Sequence, residues 1–486
     1  MKKQNILGNV VSIIVFIMMA ISTASAATIT VSNNSDSGAG SLRAAITQAE
    51  MDSAADEIVF SGAVTSPISL SSTLPTITKP LSITGSMTIA GGGVATGFRI
   101  LDINIPAGGS RSAVTLQSLT FSDGDAAGIP GDGGAISVQG NVSLTLTSCT
   151  LTGNLGVSGG AMTAFNGAQV IVTGTRFQEN IASSNGGAIY LSDGTLQVKR
   201  SQFIRNRASA RGGAFSMSSA SGDSTATIMT SLFLQNDAAQ GGGAVNVFSD
   251  AGTATLDLQR VTIFGNDGNR GGGMTSGAGG IYTSNTGVAP TVRIRNSLLS
   301  LNGKNRSGSA ADSFTGGTDN CEGSVTSSGQ NLSDITDAGC GFGSSDFSAA
   351  TAGINYTATS TQLSLGTEVL LSTSQAIDQG SSIFCTSSPT DLDTDINSKA
   401  SYGTCDIGAY EFGSCGDSFV QTGAGETCDP VSSTCDSSCH VIASGGTGGS
   451  SGSGGDSGTG GVSGSGGSGG TGGSAASSSG GCTLIQ

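Results

Sequence analysis

The stretch "FQENIASSNGGAIY", residues 177–190, contains two short motifs, and both recur along the chain. One is an apolar residue three positions before an Asn, and the other is a Gly-Gly pair that leads into an apolar run. The Gly-Gly pairs begin at Gly133, Gly159, Gly186, Gly212 and Gly242. The asparagines are Asn154, Asn180, Asn206, Asn236 and Asn266. Two motifs that keep their phase over successive copies indicate a stacked repeat architecture.

The segments between the motifs alternate apolar and polar residues, as in "AQVIVTGTRF" (168–177) and "GTLQVKRSQF" (194–203). This period of two is typical of β-strands. A repeat of about 26 residues with three short strands makes one coil of a parallel β-helix, with coils about 4.8 Å apart. The fold class predicted is therefore all-β, a right-handed parallel β-helix over residues 58–412.

The repeated residues are predicted to be structural. Phe177, Phe203 and Phe233 should stack in one buried column, and the asparagines should form a ladder at the following turn. Asn suits this place because its amide can hydrogen-bond from coil to coil and its backbone tolerates a left-handed turn. The Gly-Gly pair permits torsions or close approaches that side chains would obstruct. Cys149 falls in a column of small inward residues, so a buried free thiol is expected.

These paired motifs resemble the repeats of polymorphic outer membrane proteins over about residues 130–305. In that family, exported β-helices are linked to adhesion. Residues 28–60, with "GSLRAAI" and "ADEIVF", resemble the N-terminal cap of bacterial surface β-helices called CSLREA proteins. The predicted cap, 27–57, contains a helix with Ser41 at its N-terminus. Its apolar face is Leu42, Ala45, Ile46 and Ala49, which we expect to cover the open end of the solenoid.

The C-terminal part carries two further resemblances. "AIDQG" (376–380), Cys385 and "CDIGAYEF" (405–412) resemble the closing segment, here 346–412, of choice-of-anchor Q proteins. Residues 413–441 resemble a myxobacterial-type cysteine-rich repeat with Cys415, Cys428, Cys435 and Cys439, for which three pairings remain open. Close spacing along the chain predicts two further disulfides, Cys321–Cys340 and Cys385–Cys405.

Export is predicted from the N-terminus of the chain and from the cysteines. Residues 1–26 read as a signal peptide, with Lys2 and Lys3 before an apolar run and Ala24-Ser25-Ala26 at the cleavage point. An uncleaved anchor is the alternative. Disulfides suit an oxidising compartment. Residues 442–486 form a Gly/Ser-rich linker predicted to be disordered, in which Cys482 is a candidate anchor point. The expected location is extracellular or at the outer membrane or cell surface.

Composition narrows the possible partners. The net charge is -15 with a pI near 4.3, which argues against nucleic acid and anionic membranes. We expect a non-catalytic bacterial surface protein, adhesin-like or structural, that contacts a host or neighbouring cell surface, matrix or glycan. Binding is expected in the loops around residues 246–255 and 303–320. Ring stacking on a glycan is not favoured, because the chain has no Trp and five Tyr. No cofactor, metal or transmembrane segment is predicted for the mature chain.

An enzyme is the alternative, because parallel β-helices also host polysaccharide lyases and glycoside hydrolases. The best carboxylate set for an acidic glycan is Asp193, Asp223 and Asp250, with Arg200 or Arg260 as the basic partner. The same aspartates lie in ordinary turn sequences, which explains them without chemistry. The one His of the chain, His440, lies in the cysteine-rich module.

Overall fold

A computed structural model describes residues 25–93, 97–106, 108, 110–127, 133–269, 277–303, 319–334, 338–349, 352–358, 363–371, 373–377, 379–381 and 405–410. Most of the predicted signal peptide, Cys385, the cysteine-rich module and the Gly/Ser-rich tail with Cys482 lie outside these residues.

Within the described residues, most strands belong to three parallel sheets that run along a solenoid. The largest, here called the long sheet, contains Thr28–Val31, Asp56–Phe60, Ile68–Ser69, Leu81–Ala90, Ser112–Ser122, Val142–Thr147, Thr150–Thr152, Gln169–Thr173, Arg176–Gln178, Thr195–Lys199, Gln202–Ile204, Ser224–Leu234, Ala254–Phe264, Thr291–Arg295, Leu298–Ser300, Val325–Ser327, Leu332–Ser333 and Phe347–Ser348. The eight-stranded sheet contains Leu101–Ile105, Ile136–Gly140, Met162–Phe165, Ile189–Ser192, Phe215–Ser219, Val245–Ser249, Ile281–Asn285 and Cys321–Glu322. A small sheet contains Leu155–Gly156, Ile181–Ala182, Arg207–Ala208 and Asp237–Ala238. The parallel β-helix is confirmed.

The predicted aromatic column is present in the core. Phe177 pairs with Phe203 in register, and Phe203 pairs with Phe233. Their rings stack with centroids 4.9 Å and 4.7 Å apart, and all three side chains are fully buried. Leu151 and Ile263 occupy the same column in the flanking coils. One residue per coil therefore fills the same place in the core.

The asparagine ladder is also present, and the side-chain amides link consecutive coils. The Nδ2 of Asn180 donates to the Oδ1 of Asn206 at 2.9 Å, and the backbone N–H of Asn180 donates to the same oxygen. Equivalent bonds continue the ladder through Asn154, Asn180, Asn206, Asn236, Asn266 and Asn302. Each amide has its hydrogen-bonding groups satisfied inside the protein, which a buried polar side chain requires.

The prediction that Asn itself takes up the left-handed turn is wrong. The residue before it does so instead: Glu179 and Arg205 have φ of 55° and 52°. The equivalent positions are Gly153, Gln235, Gly265 and Leu301. Very different side chains share this backbone, because they point outward while the ladder fixes the chain on the following residue. Asn is required for its amide rather than for its backbone.

The two glycines of each pair have different roles. Gly186 has φ of 67°, a left-handed conformation that L side chains rarely adopt. A Cβ on Gly187 would overlap the carbonyl oxygen of Gly213 in the next coil. The first position therefore requires glycine because of its positive φ, and the second requires glycine because the next coil lies too close for a side chain.

The N-terminal cap has the predicted helix, Leu42–Ala49, with Ser41 as N-cap. Leu42, Ala45, Ile46 and Ala49 are its buried residues and join the main core. The predicted boundary at residue 58 needs correction, however. Thr28–Val31 already pairs in parallel with Asp56–Phe60, so the first rung lies within the segment assigned to the cap. Strand pairing begins there because the helix is part of the connection between the first two rungs, Thr28–Val31 and Asp56–Phe60.

Parallel pairing within the described residues ends at Phe347–Ser348, so coils extending to residue 412 are not found. Ile354–Ala358 and Leu363–Leu370 form an antiparallel hairpin instead. With residues 405–410, this region packs against a second apolar cluster that includes Leu234, Phe264 and Leu298. Those three apolar side chains lie on the outer side of the last coils and would otherwise be exposed to water. The closing segment packs over them and buries them.

The "AIDQG" and "CDIGAY" stretches meet, as Ile407 N–H donates to Ala376 O and Gly380 N–H donates to Cys405 O. The Cys321–Cys340 disulfide is confirmed, with Cα atoms 4.9 Å apart. Cys405 is disulfide-bonded, and its predicted partner Cys385 lies outside the described residues. In the part of the chain that the structure describes, no helix is long and apolar enough to span a bilayer.

Candidate functional site

The outer face of the eight-stranded sheet carries four partly exposed aromatic side chains. In Ile189–Ser192, Ile189 and Leu191 join the core, whereas Tyr190 and Ser192 are half-buried on the opposite side. This follows from the period of two in a strand. Phe165, Phe248 and Tyr282 occupy outward positions of their strands in the same way.

The four rings follow a regular pattern along the coil axis. In one column, Tyr190 is followed by Ser216, Asn246 and then Tyr282. In the neighbouring column, Phe165 is followed by Ser192, Ser218 and then Phe248. Each column thus places two rings three rungs apart, about 14 Å, with two small polar residues between them. We call this surface the trough: rings at both ends and Ser192, Ser216, Ser218 and Asn246 as its floor.

The floor contains one buried polar atom without a hydrogen-bond partner among the described residues, the Oδ1 of Asn246. Asn246 Nδ2 donates to Ser216 Oγ at 2.9 Å. Asn246 is only 2% exposed, yet its Oδ1 has no hydrogen-bond partner among the described residues. Ser137 Oγ and Ser284 Oγ, on the same outer face, are likewise without one. A buried acceptor left unmatched costs about 1–3 kcal/mol. An atom of this kind also occurs away from the trough, at Gln235 Oε1.

One edge of the trough is walled by the turns that precede the Gly-Gly pairs. The guanidinium of Arg211 lies over the Tyr282 ring, 5.8 Å from its centroid. The backbone N–H of Arg211 donates to Asn185 Oδ1 at 3.2 Å, which fixes the turn to the preceding coil. Gly241 fits closely against the Tyr282 ring, and a Cβ there would lie 3.0 Å from ring atoms. The Tyr282 ring is therefore held in place from two sides.

The opposite edge carries the three aspartates singled out in the sequence. Each lies in the loop that follows a strand of the eight-stranded sheet, and each binds the next coil. Asp193 accepts from Ser221 Oγ at 2.7 Å and from Gly222 N–H at 2.9 Å. Asp223 accepts from Thr253 N–H at 2.8 Å, and Asp250 accepts from Thr286 Oγ1. Bonds of this kind are the turn contacts that Asp commonly makes.

The arginines proposed as their partners lie elsewhere. Arg200 and Arg260 occupy a corner of the long sheet, with φ of 47° and 51°. In the coil that holds Asp193 and Arg200, the strand Thr195–Lys199 separates the two. Five extended residues span about 16 Å, so the aspartate and arginine columns run at opposite ends of these strands. The set required for a lyase is not brought together by the described residues.

The predicted binding loops also need correction. Most of 246–255 is strand, because Val245–Ser249 and Ala254–Phe264 leave only a short connection. Most of 303–320 lies outside the described residues. The sequence did not lead us to predict the rings of the trough as a site, because five Tyr in a long chain do not indicate an aromatic surface. The available signal was positional: "GGAIY" (186–190) and "GGIY" (279–282) place Tyr190 and Tyr282 in the same register.

Cys149 is the free thiol of the described residues, and it is buried as predicted. Burial raises its pKa to about 11. It belongs to a column with Thr175, Ser201 and Ser231, in which each hydroxyl accepts from the backbone N–H of the coil before. Such a thiol is protonated and inert at neutral pH, so it is not a nucleophile.

Among the residues with described positions, no group of three His, Cys, Asp or Glu side chains is placed to hold a metal ion. No protein-family model and no curated protein matches this chain in sequence. The trough is therefore the candidate site on geometry alone.

Proposed function

We propose that this chain is an exported bacterial cell-surface protein that acts without catalysis, as an adhesin-like or structural surface protein. Its solenoid presents a repeated outer surface to a host cell, a neighbouring cell, matrix or glycan. The signal peptide pattern and the disulfide pairs support export.

One observation supports the proposal most strongly. The repeated residues make contacts that hold the fold together, whereas an aromatic and polar surface faces outward. The Phe and Asn columns are both buried in the core. The Phe rings stack on one another, and the Asn side chains hydrogen-bond from coil to coil. The three aspartates hold neighbouring turns. What a partner meets first is the half-buried part of the trough, its four rings and Ser192, because Ser216, Ser218 and Asn246 are buried. Aromatic side chains with a few polar groups are the usual lining of recognition sites.

Attachment tests the proposal. Cells that produce the full chain are compared with cells that lack it for retention on epithelial layers, on matrix-coated plates and on a second bacterial lawn. Protease treatment of intact cells reports surface exposure in the same experiment. We expect surface-exposed protein and increased retention on at least one target. Intact chain that keeps residues 1–26 in the cytosol would contradict the proposal.

The enzyme alternative has a separate test. Purified protein is incubated with pectate and alginate, with and without calcium, and unsaturated products and reducing ends are measured. We expect none. Turnover that disappears in a correctly folded Asp223→Ala variant would replace the proposed function with polysaccharide cleavage.

A further inference from the structure

We infer that the trough binds a neutral glycan chain, with sugar rings packed against Tyr190 and Tyr282 in one column and against Phe165 and Phe248 in the other. This rests on the proposed function and adds to it the chemical class of the partner. The inference comes from three properties of the trough: ring spacing, incomplete hydrogen bonding and charge.

Ring spacing comes first. Both columns repeat the order ring, small polar, small polar, ring, and the second column is offset from the first by one coil. The rings in a column are about 14 Å apart, a distance that a few linked sugar units span. An aromatic face suits the apolar face of a sugar ring, while a floor of hydroxyls and an amide suits its hydroxyl groups.

Hydrogen bonding gives the second, independent reason. Asn246 lies between Phe248 and Tyr282 in the trough, and its Oδ1 lacks a donor among the described residues. Ser284 Oγ also lacks a partner among the described residues, but it lies one rung beyond Phe248 and so outside the trough. A sugar hydroxyl can donate to the amide oxygen of Asn246. A purely apolar partner would leave that oxygen unmatched.

Charge selects a neutral glycan over an acidic one. The open edge of the trough carries Asp193, Asp223 and Asp250, and the chain has a net charge of -15. The cation at the other edge, Arg211, already packs on Tyr282. A uronate chain would meet repulsion along this edge, whereas the carboxylates can accept hydrogen bonds from neutral hydroxyls. The same charge disfavours a nucleic acid strand, which also stacks on rings.

Calorimetric titration of the purified full chain tests this. The probes are cellotetraose, mannotetraose and N-acetylchitotetraose, with tetragalacturonate as the acidic comparison. We expect at least one neutral probe to bind more tightly than tetragalacturonate. Tyr282→Ala should weaken that binding about tenfold, and Tyr282→Phe, which keeps the ring, should stay within about threefold. The matched control is Ile171→Ala, an outward apolar residue of the long sheet, which should leave binding unchanged.

Several results would overturn the inference. These are no binding of any neutral probe, tighter binding of tetragalacturonate, or unchanged binding in Tyr282→Ala. Loss of a dimer in Tyr282→Ala, seen by light scattering, would make a second copy of the chain the occupant instead. Failure here is distinguishable from failure of the proposed function: cells that attach equally well with Tyr282→Ala retain that function and lose this site.

Discussion

Phe203 lies between Phe177 and Phe233, with ring centroids 4.9 Å and 4.7 Å away, so both of its faces are in contact with other rings. Its neighbours in adjacent coils are fixed by strand pairing and cannot collapse far into a gap. The core is thus built from columns, and each column depends on one residue type per coil.

Replacing Phe203 with Ala is expected to lower the free energy of unfolding by about 3–5 kcal/mol, because it opens a cavity between two fixed rings. Phe203→Leu is the matched control. Leu151 already occupies this column, so the Leu variant should lose less than about 1.5 kcal/mol. Urea unfolding of the three proteins measures both values. Equal losses would show that the column does not pack as described.

Asn206 is the second test at this scale. Replacing it with Ala removes the acceptor of two bonds from Asn180 and the side-chain donor to Phe177 O, and it leaves Asn236 Oδ1 with only the backbone N–H of residue 206. We expect a loss of about 3 kcal/mol or more, since several buried groups remain unmatched. Asn104→Ala, at an exposed position of the eight-stranded sheet, should change stability by less than about 0.5 kcal/mol. Similar losses for the two variants would contradict the ladder.

Cys149 predicts a pH dependence. Burial raises the pKa of its thiol from 9.0 to about 11 in the folded chain. Its contribution to stability is therefore fully present below pH 9 and is lost as pH rises from 9 to about 11, because only the unfolded chain releases the proton in that window. Cys149→Ser should lack this part of the decline, and Ser is already present in the column. The measurement is urea unfolding of both proteins from pH 8 to 11, and parallel curves would contradict the assignment.

At the scale of the coil, the sequence predicted most of the fold and little of its surface. Alternation, motif phase and the capping helix depend on local patterns, and Ser41 and the apolar face of Leu42–Ala49 follow from helix geometry alone. The packing of Ala352, Ile354, Leu370, Ala376 and Ile407 on the outside of the last coils was not predictable, since it depends on which outward side chains gather in space. Tyr190 and Tyr282 occupy the same column of the sheet, three rungs apart, but they are 92 residues apart in the chain.

The coil as an independent unit gives a prediction at this scale. Deleting residues 181–206 joins Asn180 to Arg207 and removes one complete turn, so the ladder, the aromatic column and the three sheets keep their register. In a solenoid each coil contacts only its neighbours, so the shortened chain should fold. Deleting residues 181–193 removes half a turn and should abolish cooperative unfolding. Circular dichroism during thermal unfolding distinguishes the two outcomes, and equal behaviour of both deletions would contradict the repeat.

For the whole molecule, the sequence suggests an exported surface protein, and the solenoid offers a surface suited to binding. Export, the cysteine-rich module and the Gly/Ser-rich tail concern the whole molecule, and each is proposed from sequence patterns. The enzyme reading requires aspartates and arginines that the described coils place at opposite ends of the long-sheet strands. The proposal of binding does not require these residues to meet.

The most direct test of the central claim, attachment through the solenoid, is a competition measurement. Producing cells are added to a target layer with increasing amounts of purified, soluble full chain, and retained cells are counted. If the chain is the adhesive agent, soluble protein should occupy the target and reduce retention to the level of non-producing cells. An equal amount of heat-unfolded chain should have no effect. Retention that stays unchanged at saturating soluble protein, or that never exceeds the level of non-producing cells, would contradict the account.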